Sequence, residues 1–150
     1  KALEDLRDMS KSMNPEMIRK GGLKRAIEMQ VGFLQRGGKY HVTVIRYGDY
    51  HAISEQKEII LFRILQEAVN NIIRHAAASD ITILLSSNNA ELKLHIQDNG
   101  KGFDIKNPYP ASRKIGGITN MQQRAKLIDA RFDIESILGK GTTITVSTPV

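Results

Sequence analysis

Cysteine is absent from the 150-residue sequence, so there is neither a disulfide framework nor a thiolate metal site, a usage that fits a reducing compartment. No apolar run approaches the roughly 20 residues of a membrane span, and no secretion signal precedes the first element. The formal net charge is +6, yet there is no dense basic run and no interleaving of aromatics with the cations. That scatter disfavours a primary nucleic-acid surface and leaves an anionic ligand such as a nucleotide, or an acidic protein partner. His41, His51 and His95 have no partners at metal-ligand spacing and read as structural or exposed. Neither the Rossmann G-x-G-x-x-G pattern nor a Walker A loop is present, which argues against a dinucleotide fold and a P-loop. Internal repeats, low-complexity stretches and long linkers are also missing. The chain opens on Lys1 rather than Met, as expected of a segment of a longer protein whose membrane anchor, if any, lies elsewhere.

What is present suits a single domain with a core of its own, burying roughly 70% of its unfolded surface. Residues 1 to 13 read as the end of a preceding helix, with Leu3, Leu6 and Met9 at helical spacing and Pro15 limiting its run. Gly21-Gly22 breaks the chain. A helix follows with Leu23, Ala26, Ile27, Val31 and Leu34 on one side, stopped by Gly37-Gly38. His41 to Tyr47 alternates and is β-branched, a strand. The longest helix is expected from about Ser54, its N-cap, to Ala78. Strands are expected at Asp80 to Ser86, Glu91 to Gln97, Arg131 to Ile137 and Thr142 to Thr148, the last two joined by the Leu138-Gly139-Lys140-Gly141 hairpin. A helix from about Thr119 to Asp129 precedes that pair. One alternating face per strand predicts an α/β fold: a two-layer sandwich, its mixed, mostly antiparallel sheet covered by helices on one face.

Four stretches carry candidate chemistry. Asp98-Asn99-Gly100-Lys101-Gly102-Phe103 ends the strand of Leu92, Leu94 and Ile96. Asn-Gly is a strong hairpin signal, but the next strand candidate comes about thirty residues later, too far for a tight hairpin. A functional loop gains weight accordingly: its acid can accept an adenine's exocyclic amine, and its glycines let a ligand lie against bare backbone. On the long helix, Glu67, Asn70, Asn71, Arg74 and His75 fall on an arc of roughly 140° away from the apolar stripe of Leu61, Leu65, Ala68, Ile72 and Ala76. Asn71 offers a neutral oxygen to Mg²⁺, Glu67 is a candidate general base, and Arg74 can pair with phosphate. A solvated polar face is the rival reading of this arc, and for His75 a packed or capped histidine is the rival. Gly116-Gly117 before a helix suits an anion at a helix N-terminus or a plain turn. Gly139 to Thr143 is a hairpin turn whose hydroxyl at Thr142 can reach a base held by Asp98.

In this order the four stretches resemble the ATP-binding domain of the GHKL superfamily, which includes sensor histidine kinases, type II topoisomerase ATPase subunits, mismatch-repair ATPases, a heat-shock chaperone ATPase and anti-sigma-factor kinases. The resemblance covers about residues 55 to 150 and is closest to sensor histidine kinases of the nitrate-sensor and desaturase-thermosensor type. Gln66 to Ala76 resembles that group's Asn-containing helix box, Asp98 to Phe103 its first Gly box, Gly117 to Ala125 its second, and Gly139-Lys140-Gly141-Thr142 its closing turn. The resemblance implies a Bergerat-type fold that binds Mg-ATP and passes the γ-phosphoryl group to a histidine outside this segment. It implies catalytic roles for Glu67, Arg74 and His75. It places nucleotide on Asn71, Asp98, Gly100, Gly102, Phe103, Gly116, Gly117, Ile118 and Thr142, with Asn71 on the metal and residues 104 to 116 as the ATP lid. Implied partners are the upstream dimerisation and phosphoacceptor helices, of which 1 to 13 resemble the tail, and a response-regulator receiver domain, in a homodimeric parent. Two features depart from the pattern. Ile115 stands where the second Gly box normally opens with glycine, and none of the four histidines sits in a phosphoacceptor context. Two alternatives stay open: a non-catalytic nucleotide-binding signalling module, and the ATPase part of another GHKL protein.

Overall fold

Alternation decides the sheet. In the computed structural model, which describes residues 15–49, 53–105 and 116–150, five strands form one sheet: β1 (His41–Tyr47), β2 (Asp80–Ser87), β3 (Glu91–Asp98), β4 (Arg131–Ile137) and β5 (Gly141–Pro149). Their spatial order is β1-β2-β3-β5-β4, with β1 and β2 parallel and every other pair antiparallel. Registers align the buried positions into rows across the strands. Ile83, Ile96, Ile144 and Ile134 form one row, and Leu85, Leu94, Val146 and Phe132 the next. Burial of these β-branched and leucine side chains against helices is the main stabilising term for the sheet. Thr82, Gln97, Thr143 and Thr145 point to the other face, where His95 Nδ1 lies 3.0 Å from Thr145 Oγ1. The mixed, mostly antiparallel two-layer α/β architecture is the one expected.

The covering layer consists of α1 (Pro15–Gln35), α2 (Glu55–Asn71) and α3 (Gly116–Leu127). Ile27, Leu61, Leu65, Ala68, Met121 and Ala125 are buried in one core cluster with the inward residues of the strands. Pro15 opens α1, as its fixed φ and missing N–H allow at a first helical position. The expected Gly21-Gly22 break is a kink inside α1, where Gly22 takes φ +75. Glu58 Oε2 accepts the Leu23 N–H there at 2.7 Å and so caps the second half of α1. The Arg19–Glu55 pair beside it, at 2.8 Å, is solvent-exposed and contributes little. Residues 1 to 13, expected as the tail of a preceding helix, lie outside the described residues.

The long helix corrects its expected form. Ser54 is the N-cap, accepting the Lys57 N–H at 3.2 Å. Regular α-helix ends at Asn71, however, and Ile72–Ala76 form a π-helical turn that closes on Ala77 in the left-handed region, φ 51. Sequence periodicity does not distinguish a π turn from a continued α-helix, because both keep Ile72 buried. Helix α3 starts at Gly116, ahead of the expected Thr119, and ends at Leu127.

One buried group sits badly in this core. Gln30 of α1 is fully buried, and among the described residues neither Oε1 nor Nε2 has a hydrogen-bond partner. An orphaned buried polar group costs about 1–3 kcal/mol. Methionine has nearly the same length and no such demand. Gln30→Met is therefore expected to stabilise the protein by about 1–3 kcal/mol, which thermal unfolding would report as a rise of several degrees. An unchanged or lower melting temperature would show that Gln30 is satisfied in solution.

Candidate functional site

The row at one end of the sheet is polar. Every second residue of β3 enters the core, Leu92, Leu94 and Ile96, and the next is Asp98, only 5% exposed. Across the ladder Asp98 faces Thr142, and Thr142 faces Ser136. The hydroxyls of Ser136 and Thr142 are 2.7 Å apart, Ser136 Oγ donates to the Gly141 carbonyl at 3.3 Å, and the Phe103 N–H donates to Ser136 Oγ at 2.8 Å. Asp98 Oδ1 accepts the Gly100 N–H at 2.8 Å. Burial pushes the Asp98 carboxyl above its ordinary range, and the backbone N–H groups of Gly100 and Thr142 pull partly against that shift. Ser136 is the residue that sequence reasoning missed. A serine at an inward position of an edge strand becomes notable only once the register puts it opposite Thr142.

The turn after Asp98 is no hairpin, since β3 pairs with β2 and β5. Asn99 instead ties it to the start of β2. Its Oδ1 accepts the N–H groups of Ser79 and Asp80, both at 2.9 Å, while Nδ2 donates to Ser79 Oγ at 3.0 Å and Asp80 Oδ2 at 2.9 Å. The Lys101 N–H then donates to the Ala76 carbonyl at 2.7 Å, and the Lys101 carbonyl accepts the Gly139 N–H at 2.6 Å. These bonds leave no room for side chains. A Cβ on Gly100 would stand 2.3 Å from Ala76 O, and one on Gly102 would stand 2.1 Å from Ile137 O. The two glycines were expected to admit a ligand; in the structure each is already required by the protein's own backbone.

Those contacts bring the four stretches together around the long helix, at the C-terminal third of α2 and the π turn that continues it. The Gly100 turn meets it at Ala76. The start of α3 meets it at Glu67, whose Oε1 lies 2.0 Å from where a Gly117 Cβ would be. Glu67, Asn70 and Asn71 are half-buried on the regular part of the helix. The π turn then breaks the 100° progression that grouped Arg74 and His75 with them; Arg74 is exposed and His75 half-buried. Phe103 is half-buried, and Ile118 packs partly against the core behind α3. Residues 106 to 115 of the expected lid, Ile115 among them, lie outside the described residues, as does His51. Among the described residues no three histidine or acidic side chains converge as a metal cage. None of the described helices is long and apolar enough to cross a membrane.

Comparison with known proteins bears on the same region. Residues 56–150 match the family described as histidine kinase-, DNA gyrase B-, and HSP90-like ATPase. Sensor histidine kinase LiaS of Bacillus subtilis is 41% identical over 99 residues, 66% of this chain and 27% of the relative. Sensor protein VraS of Staphylococcus saprophyticus is 34% identical over 146 residues, 97% of this chain and 41% of the relative. The kinase/phosphatase DegS of Bacillus subtilis is 34% identical over 112 residues, 75% of this chain and 29% of the relative. The chain thus spans well under half the length of these curated relatives. Among solved structures, the histidine kinase domain of a blue-light activated histidine kinase from Erythrobacter litoralis matches with a TM-score of 0.58 at 18% identity, over 85% of this chain and 62% of that one.

Proposed function

Since the chain belongs to the histidine kinase-, DNA gyrase B-, and HSP90-like ATPase family, we propose that it is the Mg-ATP-binding catalytic domain of a two-component sensor histidine kinase. The observation that supports this most is the buried Asp98 carboxylate, placed in a polar row at the end of an apolar sheet face and joined through the Gly100 turn to the helix of Glu67 and Asn71. The proposed subgroup is the nitrate-sensor and desaturase-thermosensor type, on the residues Gln66 to Ala76.

Asp98 accepts the adenine amine, with the hydroxyls of Thr142 and Ser136 beside it holding the base or a bridging water. Phe103 and Gly102 line the adenine side of the lid. Gly116, Gly117 and Ile118 present the first-turn amides of α3 to phosphate. Asn71 supplies a neutral oxygen to the metal, and Arg74 supplies charge to the phosphates. Mg²⁺ held at Asn71 would supply positive charge to offset that of the phosphates. Glu67 orients or deprotonates the attacking group, and His75 supports it from the π turn. The acceptor is a histidine on upstream dimerisation helices, in a homodimer whose product phosphohistidine serves a receiver domain.

Two measurements test the reading. The chain alone should bind ATP more tightly with Mg²⁺ than without it, and should acquire no acid-labile phosphoryl group from labelled ATP. With phosphoacceptor helices restored in front of the chain, Glu67→Ala should lower transfer by about 100-fold or more while ATP affinity stays within a few-fold. Undiminished transfer would remove Glu67 from the mechanism.

A further inference from the structure

We infer that Gly117 is a positioning residue for Glu67: its missing side chain is the space into which the Glu67 carboxylate reaches at the start of α3. This rests on the reading of Glu67 as the group that orients or deprotonates the attacking atom. A glycine at this place in a nucleotide site invites the view that phosphate needs the room. In the structure a Gly117 Cβ would meet one side chain, standing 2.0 Å from Glu67 Oε1, 2.8 Å from Cδ and 3.0 Å from Cγ. These are the three closest atoms, and all belong to Glu67.

The nature of the obstacle separates Gly117 from the other tight glycines. Gly100 and Gly102 abut the backbone of Ala76 and Ile137, which cannot retreat without moving a helix end or a hairpin. Gly117 abuts the far end of a flexible side chain. A methyl group there displaces the carboxylate and leaves the fold standing. The site also favours the carboxylate. The first amides of α3 lack intrahelical acceptors, and the positive end of the helix attracts negative charge. Gly117 therefore sets where the carboxylate rests, at a helix end whose polarity favours its charge. Misplacing a reacting group by about 1 Å can cost on the order of 100-fold in rate, so a change that leaves stability intact is expected to be felt in the chemistry.

Nuclear magnetic resonance on the 150-residue chain tests the contact itself. Glu67→Ala should shift the backbone amides of Gly117, Ile118 and Thr119, and Gly117→Ala should shift the Glu67 side chain while the melting temperature stays within a few degrees of wild type. If neither signal moves, the contact does not exist in solution and the inference falls. Transfer from the chain with phosphoacceptor helices restored tests the consequence. Gly117→Ala should lower the rate at saturating ATP by about tenfold or more, with less than threefold change in ADP affinity. Adding Gly117→Ala to Glu67→Ala should cost less than a further twofold, and Glu67→Asp, one methylene shorter, should restore part of the rate in the Gly117→Ala background. An equal loss from Gly117→Ala in both backgrounds would show that the missing side chain of Gly117 makes room for phosphate and not for Glu67, and would overturn the assignment. If Glu67→Ala alone leaves transfer intact, the general-base reading fails separately, and the amide shifts still decide the contact.

Discussion

Asp98→Asn is expected to raise the melting temperature of the nucleotide-free protein by a few degrees at pH 7 and to abolish most of its ATP affinity. Both effects have one cause. Asp98 is buried at the end of β3, and burial pushes its carboxyl above the ordinary range. A group whose folded value lies above its unfolded value favours folding while it is protonated. That contribution is complete below the unfolded value of about 4 and is lost as pH rises through the folded value. At pH 7, well above the unfolded value, the carboxyl therefore carries a burial penalty that asparagine would remove. The amide oxygen of the substituted side chain can still accept the Gly100 N–H, so the turn keeps its bond. The gain should vanish below about pH 4, where aspartate is protonated in both states.

Ligand binding moves the other way. An ionised carboxylate accepts the adenine amine through a charge-assisted bond, whereas an amide turned to keep the Gly100 bond presents donors to a donor. Losing the bond and leaving both groups unpaired should weaken ATP binding by about 100-fold or more. Wild-type affinity should also fall as pH drops through the folded value of Asp98. Calorimetric titration at pH 7 alongside thermal melts at pH 7 and pH 3.5 would check both. Equal ATP affinity of wild type and Asp98→Asn would refute the adenine assignment, and a lower melting temperature at pH 7 would refute the electrostatic one. A residue that costs stability in the free protein and is needed for the ligand is the usual mark of a site selected for function.

Much of this arrangement was legible in the chain, for identifiable reasons. Period-two alternation located all five strands, and in β3 it carried through to Asp98, whose inward direction follows from that of Leu92, Leu94 and Ile96. The distance from Asn99-Gly100 to the next strand weighed against a tight hairpin, and the pairing of β3 with β2 and β5 agrees. Ser54 was readable as a cap because an N-cap is a local event. What was not legible depended on contacts between distant segments. Ser136 matters through the register of β4 on β5. The demand for glycine at 100, 102 and 117 arises from Ala76, Ile137 and Glu67, none of them a sequence neighbour. The π turn at Ile72–Ala76 escaped because an apolar stripe records which side is buried, not how many residues complete the turn.

Gly102→Ala is expected to be among the most destabilising single-methyl changes at this site, at about 2–4 kcal/mol. Gly102 has φ +62, where an L residue pays about 1 kcal/mol or more. Its new methyl would also stand 2.1 Å from Ile137 O, 2.8 Å from Ile137 C and 3.0 Å from Gly141 O. All three are backbone atoms of the β4–β5 hairpin, so relief requires the hairpin to shift, at about 1–3 kcal/mol. Gly139 isolates the first contribution. It has φ +79, but no atom of the described residues lies within 4 Å of where its Cβ would stand, so Gly139→Ala should cost only about 1 kcal/mol. For a domain of this size the pair should differ by several degrees in melting temperature. They should differ in function as well. Moving Ile137 moves Ser136, and with it the hydroxyl pair beside Asp98. Well below its melting temperature, Gly102→Ala should therefore still bind ATP about tenfold or more weakly, the loss expected from one or two displaced hydrogen bonds. Gly139→Ala should bind like wild type. Equal destabilisation of the two variants would mean that the hairpin yields freely, and the turn at Gly102 would then owe its glycine to φ alone.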